Sequence, residues 1–293
     1  MNYLIQVQKG IDFIETNLDF DISIEDIAKQ AGISRWHFQR IFKALTKETL
    51  KSYIRSRRLA NALPKLLSTN QRIIDIALTA GYESQESFSR SFKKVYQLNP
   101  NEYRKLGKKN QFVTKVQFNE QYLRHINQSI SLTPIIYQQP SMIMAGVKTL
   151  FYSDDSEKNN ISEKLPPLWA SFIPRMDEIP HRIGGEAYGV ITTAQQKDSE
   201  LLEYFAAVAV SKKGTIPEGM VYFELEAASY ARFKHIGYPE RLDDTVNYIY
   251  SNWLMRSDYQ HSYGADLEIY GDQYRPDSAD SIVEYAIPLI QSQ

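Results

Sequence analysis

Apolar residues in the first 110 positions recur every three or four residues, the spacing of amphipathic helices that pack on one core. Ser23 is the predicted N-cap of one helix, with Asp26 three residues later, and Gly32 suits the left-handed turn that ends it. Another helix is predicted from Ser34 onward. A helix, a tight glycine turn and a second helix make a helix-turn-helix, so this region is predicted to be all-α.

The same pattern returns about fifty residues later. The dipeptide A-G at residues 31–32 recurs at residues 80–81, and the run F-x-R-x-F that starts at Phe38 recurs at Phe88. Between the repeats, residues 50–67 are predicted to form one long basic helix, kinked at Pro64 because proline lacks a backbone donor. Two helix-turn-helix units joined by a basic helix are therefore predicted.

The outer faces of the second helix in each unit carry side chains that suit double-stranded DNA. Arginine pairs with guanine and glutamine with adenine in the major groove, while lysine holds phosphates. The predicted DNA-contacting residues are Arg35, Trp36, Gln39, Arg40 and Lys43 in the first unit, Arg55 on the connecting helix, and Gln85, Ser89, Arg90 and Lys93 in the second unit. An ordinary solvated basic face is the alternative, and two matched units make it much less favoured.

Glu86 departs from this basic pattern in the second unit. A carboxylate repels phosphate unless it accepts a hydrogen bond from a cytosine amino group. The second unit is therefore predicted to contact fewer bases or to bind DNA more weakly than the first.

From Leu132 onward the pattern changes to short β-rich segments. Strands are predicted at residues 142–152, 188–193, 204–211, 228–235, 266–270 and 283–290, with helices at 161–176 and 242–255. The order strand, helix, strand, strand occurs twice, with Trp169 in one helix and Trp253 in the other. We predict an α+β domain of two β-α-β-β halves with a cleft between them. The domains are expected at residues 1–108 and 132–293, with a linker at 109–131.

Glu268 stands inside an apolar strand, where alternation places it on one face with Tyr270 and opposite Leu267 and Ile269. If that face meets solvent, the glutamate is ordinary. If it meets the cleft, a partly buried carboxylate among aromatic rings is a site for a cation or a hydrogen-bonding ligand. Aromatic residues on strands are otherwise most often core.

The near-neutral net charge of −1 conceals two halves of opposite sign. Residues 1–110 carry 19 Lys/Arg and 11 Asp/Glu, a net charge of +8, and residues 111–293 carry 15 and 24, a net charge of −9. The chain has no cysteine, its histidines are scattered, and no metal site or cofactor is predicted. The longest apolar run, at residues 205–210, is far too short to span a membrane, so a cytoplasmic protein is expected.

Residues 8–106 resemble the DNA-binding domain of the AraC/XylS transcription regulators. The run I-A-x-x-x-G-Y-x-S-x-x-x-F-x-R-x-F-K is specific to that family, and S-x-W-H-x-Q-R from Ser34 to Arg40 is similar to its MarA, SoxS and Rob group, where glutamine often stands at the position of Glu86. The resemblance implies that a monomer binds an asymmetric site, with both helices in successive major-groove segments on one face of the DNA. Promoter DNA and RNA polymerase are the expected partners, and a nucleoid-associated location is expected.

Residues 134–291 resemble GyrI-like effector-binding domains, through A-x-Y-A-R-F-K-H-I-G from residue 228, Y-I-Y-S-N-W-L from residue 248, L-E-I-Y from residue 267 and Y-A-I-P-L from residue 285. The resemblance implies a cavity for a bulky, hydrophobic and often cationic compound. The ligand-binding residues carried over on this basis are Glu268, Tyr270, Trp253, Tyr188 and Tyr285.

Together these patterns favour a one-component transcription regulator with Rob-like domain order, which binds DNA with its first half and senses a small molecule with its second. An enzyme is not expected. Two alternatives stay open: a hydrolase that uses Glu268 beside Trp253 as general acid or base, and an inhibitor-type module that binds a macromolecule through the acidic half.

Overall fold

The computed structural model describes residues 3–107, 132–194 and 200–291, so the predicted linker at 109–131 lies outside the described residues. The first of these ranges contains seven helices and no strand. They are α1 (Tyr3–Thr16), α2 (Ile24–Ala31), α3 (Arg35–Thr46), α4 (Leu50–Ser68), α5 (Ile73–Thr79), α6 (Gln85–Tyr96) and α7 (Pro100–Leu106). The pairs α2–α3 and α5–α6 form the two predicted helix-turn-helix units.

Local sequence sets the bounds of these helices. Ser23 caps α2 in a reciprocal capping box with Asp26, and Gly32 ends the helix with a φ of 68°. Ser34 and Ser84 cap α3 and α6 by accepting hydrogen bonds from backbone amides three residues ahead. Pro64 lies inside α4 without ending it.

The second half is built on an antiparallel sheet with the order β1-β6-β9-β8-β3-β4-β2-β5, and β7 pairs with β9. Its strands are β1 (Ile135–Gln139), β2 (Met142–Tyr152), β3 (Arg182–Thr193), β4 (Leu201–Val210), β5 (Val221–Leu225), β6 (Ala228–Ile236), β7 (Tyr259–His261), β8 (Asp266–Tyr270) and β9 (Ile282–Gln291). The six predicted strands are present, and the sequence pattern missed the short β1, β5 and β7.

Two helical segments pack on this sheet. The first is α8 (Ile161–Phe172), which continues as a 3₁₀ helix at Ile173–Glu178. The second contains α9 (Leu242–Tyr248), a π-helical turn (Ile249–Trp253) and α10 (Leu254–Arg256). The α+β prediction is confirmed.

The boundaries of the hydrophobic cores do not coincide with the boundary between the helical half and the α+β half. Apolar residues of α1, α2, α3 and the start of α4 belong to one continuous cluster with residues under the sheet. The second helix-turn-helix unit, with the end of α4 and α7, has a separate core around Phe88, Phe92 and Tyr103. The first unit is therefore packed against the C-terminal domain, and the second has a closed core of its own.

Candidate ligand cavity and DNA-reading helices

A cavity of about 670 Å³ lies between α8, α9 and the sheet, with α3 at one side. Its volume is within the range of small-molecule sites. The wall is mostly apolar and includes Phe151, Leu165, Trp169, Ile191, Leu202 and Val246. A cavity with this lining is suited to a hydrophobic compound.

Glu268 supplies a carboxylate to the wall of this cavity. Its Oε2 accepts hydrogen bonds from the hydroxyl of Tyr204 at 2.5 Å and from that of Tyr270 at 2.8 Å. The indole Nε1 of Trp169 donates to the Tyr204 oxygen at 3.0 Å. Three aromatic side chains therefore fix the orientation of one carboxylate.

Gly189 on β3 leaves the space that this arrangement needs. It pairs with Glu268 across the β3–β8 ladder. A Cβ at this position would stand 2.1 Å from the Tyr204 hydroxyl and 2.6 Å from Glu268 Oε2. Any larger residue would push the tyrosine and the glutamate apart, so glycine is required by close packing here rather than by a turn.

Burial raises the pKa of Glu268, and the hydrogen bonds from Tyr204 and Tyr270 oppose that rise. Within the described residues, no Lys, Arg or His forms an ion pair with this carboxylate. The charge of Arg40 also lowers this pKa, but no described cationic side chain is within ion-pair distance. A partly buried carboxylate without an ion-pair partner among the described residues favours a positively charged ligand.

Arg40 reaches the cavity from α3, although it belongs to the helix-turn-helix half. Its guanidinium carbon lies 5.4 Å from the ring centroid of Tyr250. Burial raises the pKa of both Asp155 and Asp243, and the charge of Arg40 opposes the rise at each. Arg40 therefore faces the acidic groups of the C-terminal domain, including Asp243 on the cavity wall.

A buried polar network lies behind the cavity. Asp266 Oδ2 accepts from the hydroxyls of Tyr250 at 2.8 Å and Tyr285 at 2.7 Å, and Asp266 Oδ1 lies 2.7 Å from His261 Nε2. His261 in turn contacts α3, because its ring centroid is 3.8 Å from that of His37. The network connects the cavity wall at Tyr285 with α3.

The structure brings three of the predicted ligand residues, Glu268, Tyr270 and Tyr285, to the cavity wall. The other two, Tyr188 and Trp253, lie outside it. Tyr188 is on the opposite face of β3 and its hydroxyl donates to Glu186.

Trp253 ends the π-helical turn and packs on Phe233 and Tyr259. A π turn contains one more residue than an α turn, so it changes the face on which later side chains lie. Trp169, Tyr204 and Asp243 line the cavity instead. Trp169 was visible in the sequence as the tryptophan of the first half, whereas no sequence signal pointed to Arg40.

Except for Arg35, the predicted DNA-contacting residues of α3 lie against the C-terminal domain. Trp36 is 5% exposed and Gln39 is 3% exposed. The Gln39 amide donates to Glu200 at 3.3 Å, and the Trp36 ring centroid lies 6.3 Å from that of His261. Arg35, at the start of the helix, pairs with Glu25 of α2.

Basic side chains around α3 are paired with carboxylates of the C-terminal domain. Lys43 lies 3.6 Å from Asp154, and Arg55 lies 2.7 Å from Glu157. Lys51 lies 2.9 Å from the buried Glu200. Two of the predicted DNA-contacting cations, Lys43 and Arg55, therefore form ion pairs inside the protein.

The outer face of α6 is open. Arg90 and Lys93 are exposed, as is Glu86, and Gln85 and Ser89 are partly exposed. This helix presents its predicted DNA-contacting side chains to solvent.

Among residues 3–107, 132–194 and 200–291, no cluster of His, Cys, Asp or Glu has the arrangement of a metal site. None of the helices in these ranges is long and apolar enough to cross a membrane.

Both halves of the chain are similar to known protein families. A helix-turn-helix domain family matches residues 27–106, and the GyrI-like small molecule binding domain family matches residues 132–290. Over 98 residues the chain is 41% identical to the regulatory protein SoxS of Escherichia coli K12, which covers 33% of this chain and 92% of SoxS. Over 109 residues it is 50% identical to the HTH-type transcriptional regulator YbfP of Bacillus subtilis, which covers 37% of each protein.

A solved structure of SAV2435 bound to tetraphenylphosphonium is 14% identical to the chain, with a TM-score of 0.45, and the match covers 54% of this chain and 93% of SAV2435. The GyrI-like match spans more than half of the chain, and the SoxS match spans nearly all of that regulator. The chain therefore belongs to the AraC-type helix-turn-helix transcription regulators and carries a GyrI-like small-molecule-binding domain.

Proposed function

We propose that this regulator binds promoter DNA through both helix-turn-helix units and binds a hydrophobic cation in the cavity around Glu268. The observation that carries the ligand assignment is the carboxylate of Glu268, held by two tyrosine hydroxyls in an apolar wall without an ion pair from the described residues. A cation supplies the counter-charge that such a carboxylate lacks, and the aromatic rings of Trp169 and Tyr270 line the same cavity.

Isothermal titration calorimetry of the full chain with tetraphenylphosphonium, a hydrophobic monocation, tests the ligand assignment. Glu268→Gln keeps the shape of the side chain and removes the charge, so we expect the affinity to fall by about 10-fold or more. Glu203→Gln is the matched control, because Glu203 is on the same sheet and pairs with Lys148 away from the cavity. Equal affinities of the wild type and Glu268→Gln would refute the assignment.

Fluorescence anisotropy with a DNA duplex selected by the protein from random sequences tests DNA binding. Contacts between cationic side chains and phosphates predict that log K falls with log salt by about 0.9 per contact. A salt-independent affinity would exclude phosphate contacts by residues such as Arg90 and Lys93.

Promoter binding would bring the regulator next to RNA polymerase, so the proposal includes a polymerase contact and localisation to the nucleoid. In vitro transcription from the selected duplex, placed upstream of a core promoter, tests the polymerase contact with and without the cation. A fluorescent fusion of the protein that is spread evenly through the cell would contradict localisation to the nucleoid.

A further inference from the structure

The helix α3 is in a position that excludes base reading. Trp36 and Gln39 are almost fully buried against the C-terminal domain. A side chain that is covered by protein does not reach a base edge at the same time. The described arrangement is therefore incompatible with DNA binding by the first unit, whereas α6 stays accessible.

Carboxylates of the C-terminal domain form ion pairs with the cationic side chains that would otherwise be available to DNA phosphates. Asp154, Glu157 and Glu200 pair with Lys43, Arg55 and Lys51. The buried Glu200 also accepts from Gln39, so one carboxylate holds both a predicted base-reading amide and a cation of α4. The acidic half thus covers the basic face by charge complementarity as well as by apolar contact.

This contact is incomplete, which leaves room for its release. Trp36 Nε1 and His37 Nε2 are buried without a hydrogen-bond partner among the described residues. A buried polar atom without a partner makes a contact less favourable than its buried area suggests. Opening the contact would return both atoms to water.

Arg40 belongs to both sites. It is one of the predicted DNA-contacting residues, and it lines the cavity together with Asp243 and Glu268. Its charge interacts with Asp155 and Asp243. A cation in the cavity would lie near Arg40, repel its guanidinium and compete for the same carboxylates.

We propose that a hydrophobic cation in the cavity releases α3 from the C-terminal domain and thereby raises the affinity for DNA. The inference rests on the proposed function, since it assigns the regulation of the same cavity. Because linkage is reciprocal, DNA bound to α3 must raise the affinity for the cation by the same factor.

The first test measures the coupling in both directions with the full chain. Anisotropy with the selected duplex is measured without and with saturating tetraphenylphosphonium, and calorimetry of the cation is measured without and with saturating duplex. We expect a change of about 5- to 150-fold, equal in the two experiments. Triphenylphosphine oxide, a neutral compound of similar shape, is expected to leave the DNA affinity unchanged, because it does not repel Arg40.

The second test weakens the contact between α3 and the C-terminal domain by substitutions in the C-terminal domain, which does not touch DNA. Without the cation, we expect Glu200→Ala to raise the DNA affinity about 10-fold and Glu157→Ala about 2-fold, since the first carboxylate is buried and the second exposed. Both variants should respond less to the cation. Glu203→Ala, which removes a carboxylate of β4 that lies three residues after Glu200 and pairs with Lys148, should behave as the wild type. An unchanged DNA affinity in a folded Glu157→Ala and Glu200→Ala double variant would overturn the proposal.

The third test observes the release directly. The chain has no cysteine, so Thr79→Cys and Lys212→Cys create two unique labelling sites on exposed residues of the two halves. Pulsed electron paramagnetic resonance of the doubly spin-labelled protein should show one distance without tetraphenylphosphonium and a second, longer one with it. An unchanged distance distribution at saturation would overturn the proposal.

The outcomes separate the proposed function from its regulation. If tetraphenylphosphonium does not bind, the cation assignment and the regulation both fail. If the cation and DNA bind independently of one another, or if the cation weakens DNA binding, the regulation fails and the proposed function stands.

Discussion

The two helix-turn-helix units have the same sequence pattern and different surroundings. In the first, the core around Phe38 and Phe42 continues into the C-terminal domain, whereas in the second the core around Phe88 and Phe92 is separate. The base-reading face is covered in α3 and open in α6. A repeat in sequence therefore predicts two similar folds, and what lies against each fold depends on residues that the repeat does not share.

The residues that differ are on the outer faces. Counting from the matched phenylalanines, Trp36 and His37 correspond to Glu86 and Ser87. The tryptophan and histidine rings contact His261, and His37 also contacts Tyr263 at 4.9 Å between centroids. A glutamate and a serine offer no such contact, and the glutamate would be repelled by the acidic domain. These two positions thus add aromatic contacts to the charged ones that cover α3.

Exchanging these positions should have the largest effect. In Trp36→Glu the first unit receives the residue of the second, and we expect loss of the covered state because an aromatic contact worth about 3 kcal/mol is replaced by a buried charge. The spin-label distance should then be long without any cation. Glu86→Trp is the control, since Glu86 is exposed on α6, and its distance should match the wild type.

The next largest effect should come from removing a base contact, which should weaken DNA binding differently in the two helix-turn-helix units. Without the cation, we expect Arg90→Ala to weaken DNA binding by about 10- to 100-fold, because an arginine–guanine pair contributes about 1–3 kcal/mol. Gln39→Ala should have little effect in that state, because Gln39 is bound to Glu200. With the cation present, both changes should weaken binding. Equal losses without the cation would show that α3 reads DNA without any release by a ligand, and would contradict the proposed regulation.

Acidification should act on the first unit alone. Burial, the charge of His261 and the charge of Arg40 hold the pKa of His37 well below its usual value. Released α3 would titrate near the ordinary value of about 6.5. Above that pH the histidine is neutral in both states; below it the released state takes up a proton first, so the covered state loses up to about 1.4 kcal/mol per pH unit.

The spin-label distance should therefore lengthen between pH 7.5 and 5.5 by population shift. His37→Gln removes the titrating group and should abolish this pH dependence, although Arg40, Tyr250, Tyr263 and Asp266 still surround the site. A dependence that persists in the variant would assign it to another group.

The smallest effect concerns single phosphate contacts. Without the cation, Lys93→Ala should reduce the slope of log K against log salt by about 0.9, since Lys93 is exposed. Lys43→Ala should change the slope less, because Lys43 exchanges Asp154 for a phosphate. With the cation the two slopes should become equal.

Much of the fold follows from local signals in the sequence. The capping box at Ser23, the left-handed turn at Gly32 and the start at Ser34 predicted α2 and the beginning of α3 close to their observed bounds. The strand Asp266–Tyr270 was predicted exactly, because its alternation is regular. The strands Ile135–Gln139, Val221–Leu225 and Tyr259–His261 are short, and their pairing partners decide that they form.

The site was less predictable because it depends on long-range geometry. Alternation along β8 placed Glu268 and Tyr270 on one face. The π turn that ends at Trp253 and the face of Tyr188 depend on how the sheet and helices pack, which alternation alone does not specify. Arg40 and Glu268 are more than two hundred residues apart, so only the folded chain shows that they share a cavity.

The carboxylates that pair with Lys43, Lys51 and Arg55 belong to the same polypeptide as the helices they cover. A tethered competitor has an effective concentration in the millimolar range, whatever the number of molecules in a cell. DNA therefore competes with a partner that dilution does not remove, and its apparent affinity for the first unit falls in proportion to the fraction of molecules that are open. The degree of repression of α3 is thus a property of each single molecule and independent of how strongly its gene is expressed.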